Sequence, residues 1–203
     1  MRALFLRGFA FVALSLTFAV THTPRILAQG PGRGSVTVAM EPVIATRIES
    51  LLASPNLMLV ADYYRIDMRF GPSMRIDALI VEAVDSRTRM KGLRVQVRDT
   101  ENRNRPGQEG TSYIDVDELP ALSRGLASMA DLAGKWMHDD RQATELTYTT
   151  TGGFRIAVRQ SARVPRAYLS TGLLDPVVTS IDLAELPTIK QAFDQAIAIL
   201  NSK

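Results

Sequence analysis

The chain has 203 residues, 46% of them hydrophobic and 22% charged, with 24 Lys and Arg against 21 Asp and Glu. That is the composition of a globular protein of one domain or two small fused halves, and it excludes a disordered or fibrous chain. It contains no cysteine, which excludes disulfides, thiolate metal clusters, cysteine nucleophiles and lipid attachment through cysteine.

Residues 1–28 have the three-part layout of a secretory leader. Arg2 and Arg7 open it, Gly8–Val20 is an uncharged apolar run, and a more polar exit contains Pro24 and ends at Ala28. Cleavage is expected after Ala28, which removes 28 of the 203 residues and leaves an exported protein, periplasmic or extracellular, of 175. The apolar run is short for a bilayer span of ~20 residues, and no other stretch could cross a membrane. The leader carries Arg2, Arg7 and Arg25 and no acid, so 24 bases become 21 against 21 acids. A nucleic-acid binder needs surplus positive charge to displace counterions from phosphates, and this balance argues against one.

Residues 29–56 read as a glycine-rich lead-in, Gln29–Ser35, and an extra N-terminal helix, Pro42–Ser54. Val43, Ile44, Ile48, Leu51 and Leu52 recur there at helical spacing, and Pro42 suits a first turn. Strands follow over Leu57–Phe70, Met74–Val84, Leu93–Val97 and Ser112–Val116, each with alternating or near-continuous apolar residues. A helix is predicted over Pro120–Ala133, with Leu122, Leu126, Met129 and Ala133 on one stripe. The order then recurs: strands Glu145–Thr150, Phe154–Gln160, Ala167–Thr171 and Val177–Ile181, and a helix Glu185–Leu200 with Ile189, Phe193, Ile197 and Leu200 aligned. The expected fold is therefore α+β, a tandem internal repeat of two β-β-β-β-α halves spanning 57–135 and 136–203.

Two motif pairs suggest that the halves are related. GLRVQVR at Gly92–Arg98 matches GFRIAVR at Gly153–Arg159, so Leu93–Val97 and Phe154–Gln160 are expected to be equivalent strands. IDVDELP at Ile114–Pro120 matches IDLAELP at Ile181–Pro187. In the second pair, Asp115 and Glu118, or Asp182 and Glu185, stand at capping-box spacing. A short acidic turn is expected, with the main helix starting near the proline. A carboxylate-based catalytic role for these acids competes with that structural task at a helix N-terminus.

In the first pair, Arg94 and Arg98 lie on the parity opposite Leu93, Val95 and Val97, and Arg155 and Arg159 lie opposite Phe154, Ile156 and Val158. The apolar parity should meet the helices and the arginines should face away. These four arginines are the candidate binding residues, presenting an anion or polyanion platform through guanidinium contacts with carboxylate or phosphate. Arg65 and Arg69 are possible additions to the same face. The plainer alternative is a solvated sheet face paired to nearby acids. Arg163–Arg166, a basic turn, reads as a hairpin tip. His138-Asp139-Asp140 is the one stretch that resembles a metal or acid–base site, and further ligands would have to come from elsewhere.

The element order resembles the Whirly-type fold, known from single-stranded DNA-binding regulators. The resemblance is one of element order over about 140 residues. It transfers no functional residue, because that family's lysine- and glycine-rich motif has its nearest echo here in Lys91-Gly92, followed by Leu93-Arg94. Elimination favours a non-enzymatic exported module that binds a protein partner or acidic ligand, or supports an envelope assembly, with no cofactor and no metal. The alternatives are a polyanion or single-stranded nucleic-acid binder using the arginine face, and a carboxylate- or metal-dependent hydrolase near His138.

Overall fold

The computed structural model describes residues 45–66, 73–99, 107–136, 143–161 and 164–203. The expected leader, the glycine-rich lead-in, Pro42, Arg69, Arg163 and His138–Asp140 lie outside these residues. Helix α1 (Arg47–Leu52) precedes β1 (Leu59–Arg65), β2 (Met74–Ala83), β3 (Arg89–Arg98), β4 (Glu109–Asp115) and helix α2 (Leu119–Trp136). Then come β5 (Ala143–Thr149), β6 (Arg155–Ser161), β7 (Val164–Thr171), β8 (Val177–Ile181) and helix α3 (Leu186–Ser202). Each set of four strands forms an antiparallel sheet in sequence order. The fold is α+β, with two β-β-β-β-α halves. No helix among the described residues is long and apolar enough to cross a membrane.

Alternation sends one parity of each strand inward. Ala78, Leu93 and Ile114 are cross-strand neighbours in the first sheet, as are Ile156 and Leu169 in the second. All are fully buried in one apolar cluster with Leu122 and Leu126 of α2 and Phe193 and Leu200 of α3. Phe154 and Phe193 meet at 5.6 Å between ring centroids, a tilted contact. The helices reach across: α3, from the second half, lies on β2 and β3 of the first sheet, while α2, from the first half, lies against β5 and β6. Polar contacts follow the same exchange. Lys91 Nζ donates to Leu200 O at 2.9 Å, a cation at the C-terminus of α3 where the helix dipole favours it. Glu118 accepts from the Thr151 backbone N–H at 2.8 Å, and Ser123 Oγ donates to Asp194 at 2.7 Å between the two helices.

The IDxxELP pair occupies equivalent places: β4 and β8 each end in a 3-10 turn, Val116–Glu118 or Leu183–Glu185, and the long helix starts at the following leucine. The capping box survives only in the second copy, where the Asp182 N–H donates to Glu185 at 3.3 Å. In the first copy Asp115 is drawn away to α1. It accepts from the Arg47 and Ile48 backbone N–H groups at 2.8 and 3.2 Å. Thr46 and Glu49 complete that N-terminus with a capping box of their own. Within the described residues α1 begins at Arg47, where Thr46 holds an extended backbone and fixes the start.

The expectation that Leu93–Val97 and Phe154–Gln160 are equivalent strands is overturned. The first belongs to β3, the third strand of its sheet, and the second leads into β6, the second strand of the other. What the two motifs share is a place in a hairpin with an acid on the preceding strand, though opposite different arginines of the motif: Asp77 faces the first, Arg94, and Glu145 faces the second, Arg159. Their glycines differ in task. Gly153 sits in a turn at φ +76°, whereas Gly92 makes room in the sheet, since a Cβ there would lie 2.2 Å from Ile114 O and 2.3 Å from Ile48 Cδ1. Strand β7 also starts three residues earlier than the expected Ala167. Pro165 is tolerated because β8 pairs with β7 only from Ala167 onward, so the missing N–H is not needed there.

The first sheet has a second apolar layer. Ile48 and Leu51 of α1 cover Leu79, Val81 and Ala83 on the face away from α2 and α3. Gly92→Ala should therefore lower stability by about 1–3 kcal/mol by pushing α1 off this face. Gly134→Ala, at an open position of α2 with no atom near the added Cβ, should raise it by about 0.5–1 kcal/mol. Urea denaturation of the two variants checks both signs.

Candidate functional site

The four candidate arginines lie on the outer sheet faces, away from α2 and α3, in two different environments. In the first sheet, Arg65, Asp77, Arg94 and Tyr113 form one cross-strand row. Asp77 is fully buried. It accepts from Arg94 Nε and Nη2 at 3.0 and 2.7 Å, and from Arg75 Nε at 3.0 Å. The Arg94 guanidinium also lies 3.9 Å from the Tyr63 ring centroid. Two Arg94 donors converge on one buried carboxylate oxygen while the guanidinium stacks on an aromatic ring, a stable internal arrangement that engages Arg94 within the protein. Arg98 pairs with Glu109 at 3.2 Å, one exposed charge with another. Arg94 thus has a structural task, and Arg98 belongs to an ordinary surface pair.

The second sheet differs. Register places Glu145, Arg159 and Arg166 in one row, Thr147, Ala157 and Tyr168 in the next, and Thr149, Arg155, Ser170 and Val178 in a third. Arg159 Nε donates to Glu145 Oε2 at 2.9 Å, and Arg155 Nη2 donates to Oε1 of the same carboxylate. The Thr147 hydroxyl donates to Oε1 at 2.7 Å. The Thr147 hydroxyl first, then Arg159 and Arg155, hold the Glu145 carboxyl below the ordinary glutamate range, against the opposing effect of burial. Arg159 stands 5.3 Å from the Tyr168 ring centroid. Arg166 faces Arg159 directly across the strand pair, is exposed, and has no ion-pair partner among the described residues. Two guanidiniums thus share a single carboxylate, and a third stands opposite one of them. Like charges directly opposite on neighbouring strands destabilise a sheet. The Arg155 Nε is buried and makes no hydrogen bond.

Between these residues lies a shallow depression of about 340 Å³, lined by Arg155, Arg159, Tyr168, Ser170, Leu173 and Val178 among others. It is chemically mixed: two guanidiniums, hydroxyls, and an apolar floor. Among the described residues no helix lies over it as α1 lies over the first sheet. A second concavity of about 390 Å³, beside α1, contains Arg47, Arg89 and Lys91. Its cations are already engaged: Arg47 with Asp115 and Asp117, and Arg89 and Lys91 with carbonyls at the end of α3. Among the described residues no group of three His, Asp or Glu could hold a metal ion; the His138 stretch lies outside them.

Sequence reasoning grouped Arg94 and Arg98 with Arg155 and Arg159, and no contact joins the two pairs among the described residues. It missed Arg166 by reading it as a hairpin tip, and it missed Glu145 and Tyr168. The parity of β7 carried the signal, because Arg166, Tyr168 and Ser170 alternate with the buried Ala167 and Leu169.

No protein-family model matches this sequence, and a comparison with curated proteins finds no match. Among solved structures, the crystal structure of WHY1 from Arabidopsis thaliana is similar over 72% of this chain and 93% of its own, at 13% identity and a TM-score of 0.28. No functional residue is carried over from it.

The contrast between the two faces has a measurable consequence. Asp77→Ala removes a fully buried acid and the hydrogen bonds it accepts from the half-buried Arg94 and Arg75, and should cost about 2–3 kcal/mol. Glu145→Ala removes a solvent-exposed partner and should cost about 1 kcal/mol or less. Chemical denaturation of the two variants, side by side, checks this.

Proposed function

We propose that this chain is an exported, non-enzymatic binding module that takes an acidic ligand on the outer face of its second sheet. The observation that carries the reading is the positive charge clustered there: Arg155 and Arg159 share the Glu145 carboxylate, and Arg166 stands exposed opposite Arg159. A sheet face needs polar residues toward water, but the fold has no need of a third arginine set opposite a pair that already shares one acid. Guanidinium groups give planar, two-pronged contacts to carboxylate or phosphate. Tyr168 adds a flat aromatic surface beside Arg159, and the apolar floor suits the uncharged part of a ligand. Arg94 and Arg98 fall outside the site because Asp77 and Glu109 already occupy them. The leader pattern at residues 1–28, with cleavage after Ala28, is what supports export.

The test uses heparin as a polyanion probe. The protein should bind it with an affinity that falls steeply as salt rises. Arg155→Gln with Arg159→Gln should weaken binding about tenfold or more, since charge-assisted hydrogen bonds are worth about 1.5–3 kcal/mol each. The melting temperature should shift little, because exposed pairs contribute about 0–1 kcal/mol. Arg98→Gln should bind like the parent. Equal heparin affinity in the double variant and the parent would refute the assignment.

A further inference from the structure

The connection between β7 and β8 holds two consecutive leucines in solvent. Leu174 is 89% exposed and Leu173 is 52% exposed. The connection is shaped at its base by two glycines with positive φ. Gly172, at +94°, opens it, and Gly153, at +76°, lies beneath it; a Cβ on Gly153 would stand 2.8 Å from Leu173 Cγ. Leu173 therefore seats on the β5–β6 turn while Leu174 projects beyond it. Asp175, next in the chain, has a partner within the protein. Leu173 also lines the depression that holds Arg155 and Arg159, so the apolar tip and the arginine face are continuous.

We propose that this surface docks the protein on a membrane that carries anionic headgroups. Arg155, Arg159 and Arg166 take the headgroup phosphates, and Leu173 and Leu174 enter the boundary between headgroups and acyl chains. The proposal rests on the reading of the arginine face as an anion site and names the source of the anions. The leucines favour a bilayer over a soluble acidic partner. A purely acidic chain would satisfy the arginines and leave both leucines in water. Leu174 has so few protein neighbours that whatever buries it must surround it on nearly all sides, and a fluid bilayer does so without a matching pocket. Basic side chains next to an apolar wedge are the combination that interfacial binding requires, one supplying attraction to the charged surface and the other burial. Tyr168, an aromatic ring with a polar tip, is a side-chain type at home in that boundary.

The experiment is co-sedimentation of the full-length exported protein with vesicles of phosphatidylcholine alone and of phosphatidylcholine mixed with phosphatidylglycerol, alongside heparin binding. The parent should sediment with the anionic vesicles and not with the neutral ones. Leu174→Ser should weaken vesicle binding about tenfold and leave heparin affinity unchanged. Leu174→Trp should bind anionic vesicles at least as tightly and show a blue-shifted emission there. Arg155→Gln with Arg159→Gln should lose both vesicles and heparin. A parent that binds heparin but ignores anionic vesicles would overturn membrane docking and leave the anion site standing. So would a Leu174→Ser variant that sediments like the parent, or equal binding to neutral vesicles. A parent that binds neither probe would overturn both readings. Because Leu174 is almost wholly in solvent, its variants should keep the parent melting temperature, so loss of folding does not mimic loss of docking.

Discussion

The exchange of helices between the two halves is the constraint on which the rest of the structure depends. Each sheet has one strongly apolar face, and the helix that lies most fully on it comes from the other half. The first sheet is covered by α3 and the second by α2. The two apolar faces and both helix stripes therefore merge into one cluster, closed where Phe154 meets Phe193. Burial of that size is the dominant favourable contribution to folding, and here neither half could obtain it alone. The polar contacts at the ends of the helices, Lys91 with Leu200 and Glu118 with Thr151, cross between halves in the same sense.

With the inner faces committed to the core, function has to be sought on the outer faces, and these have diverged. On the first sheet, Leu79, Val81 and Ala83 are apolar outward as well as inward, and α1 covers them. The polar end of that face closes on itself through Asp77, with Arg75, Arg94 and Tyr63 around it. Among the described residues the second sheet has no such covering helix. Its arginines outnumber its acids, and they stand beside an open depression and a solvent-exposed leucine pair. Among the described residues, one outer face is thus used for stability and the other is uncovered.

Element type was legible in the sequence almost throughout, because apolar alternation and helical stripes in this chain are strong and local. The IDxxELP match was also a sound guide, since a strand end, an acidic turn and a proline near the helix start form a local unit that recurs with its geometry. The Gly-x-Arg match misled. Both copies are inward-apolar strands that answer an acid on the preceding strand, and several different strands of a repeated sheet can meet that local requirement. Asp115 shows the other limit. Its capping spacing to Glu118 was real, but the backbone N–H groups of α1 compete for the same carboxylate, and that contact spans 68 residues. The site suffered in the same way. Whether an arginine is consumed depends on the acid across the strand pair, and Asp77 and Glu145 differ in burial rather than in sequence pattern.

The central claim, that exchanged helices make both sheets one cooperative unit, is tested most directly by native-state hydrogen exchange on Leu122→Ala in α2. A cavity at this fully buried position should cost about 2–5 kcal/mol. The account predicts that the slowest-exchanging amides of β2 and β3 in the first sheet and of β6 and β7 in the second lose the same amount of protection. Loss confined to the second sheet, with the first sheet unchanged, would mean that the halves open independently and would contradict it.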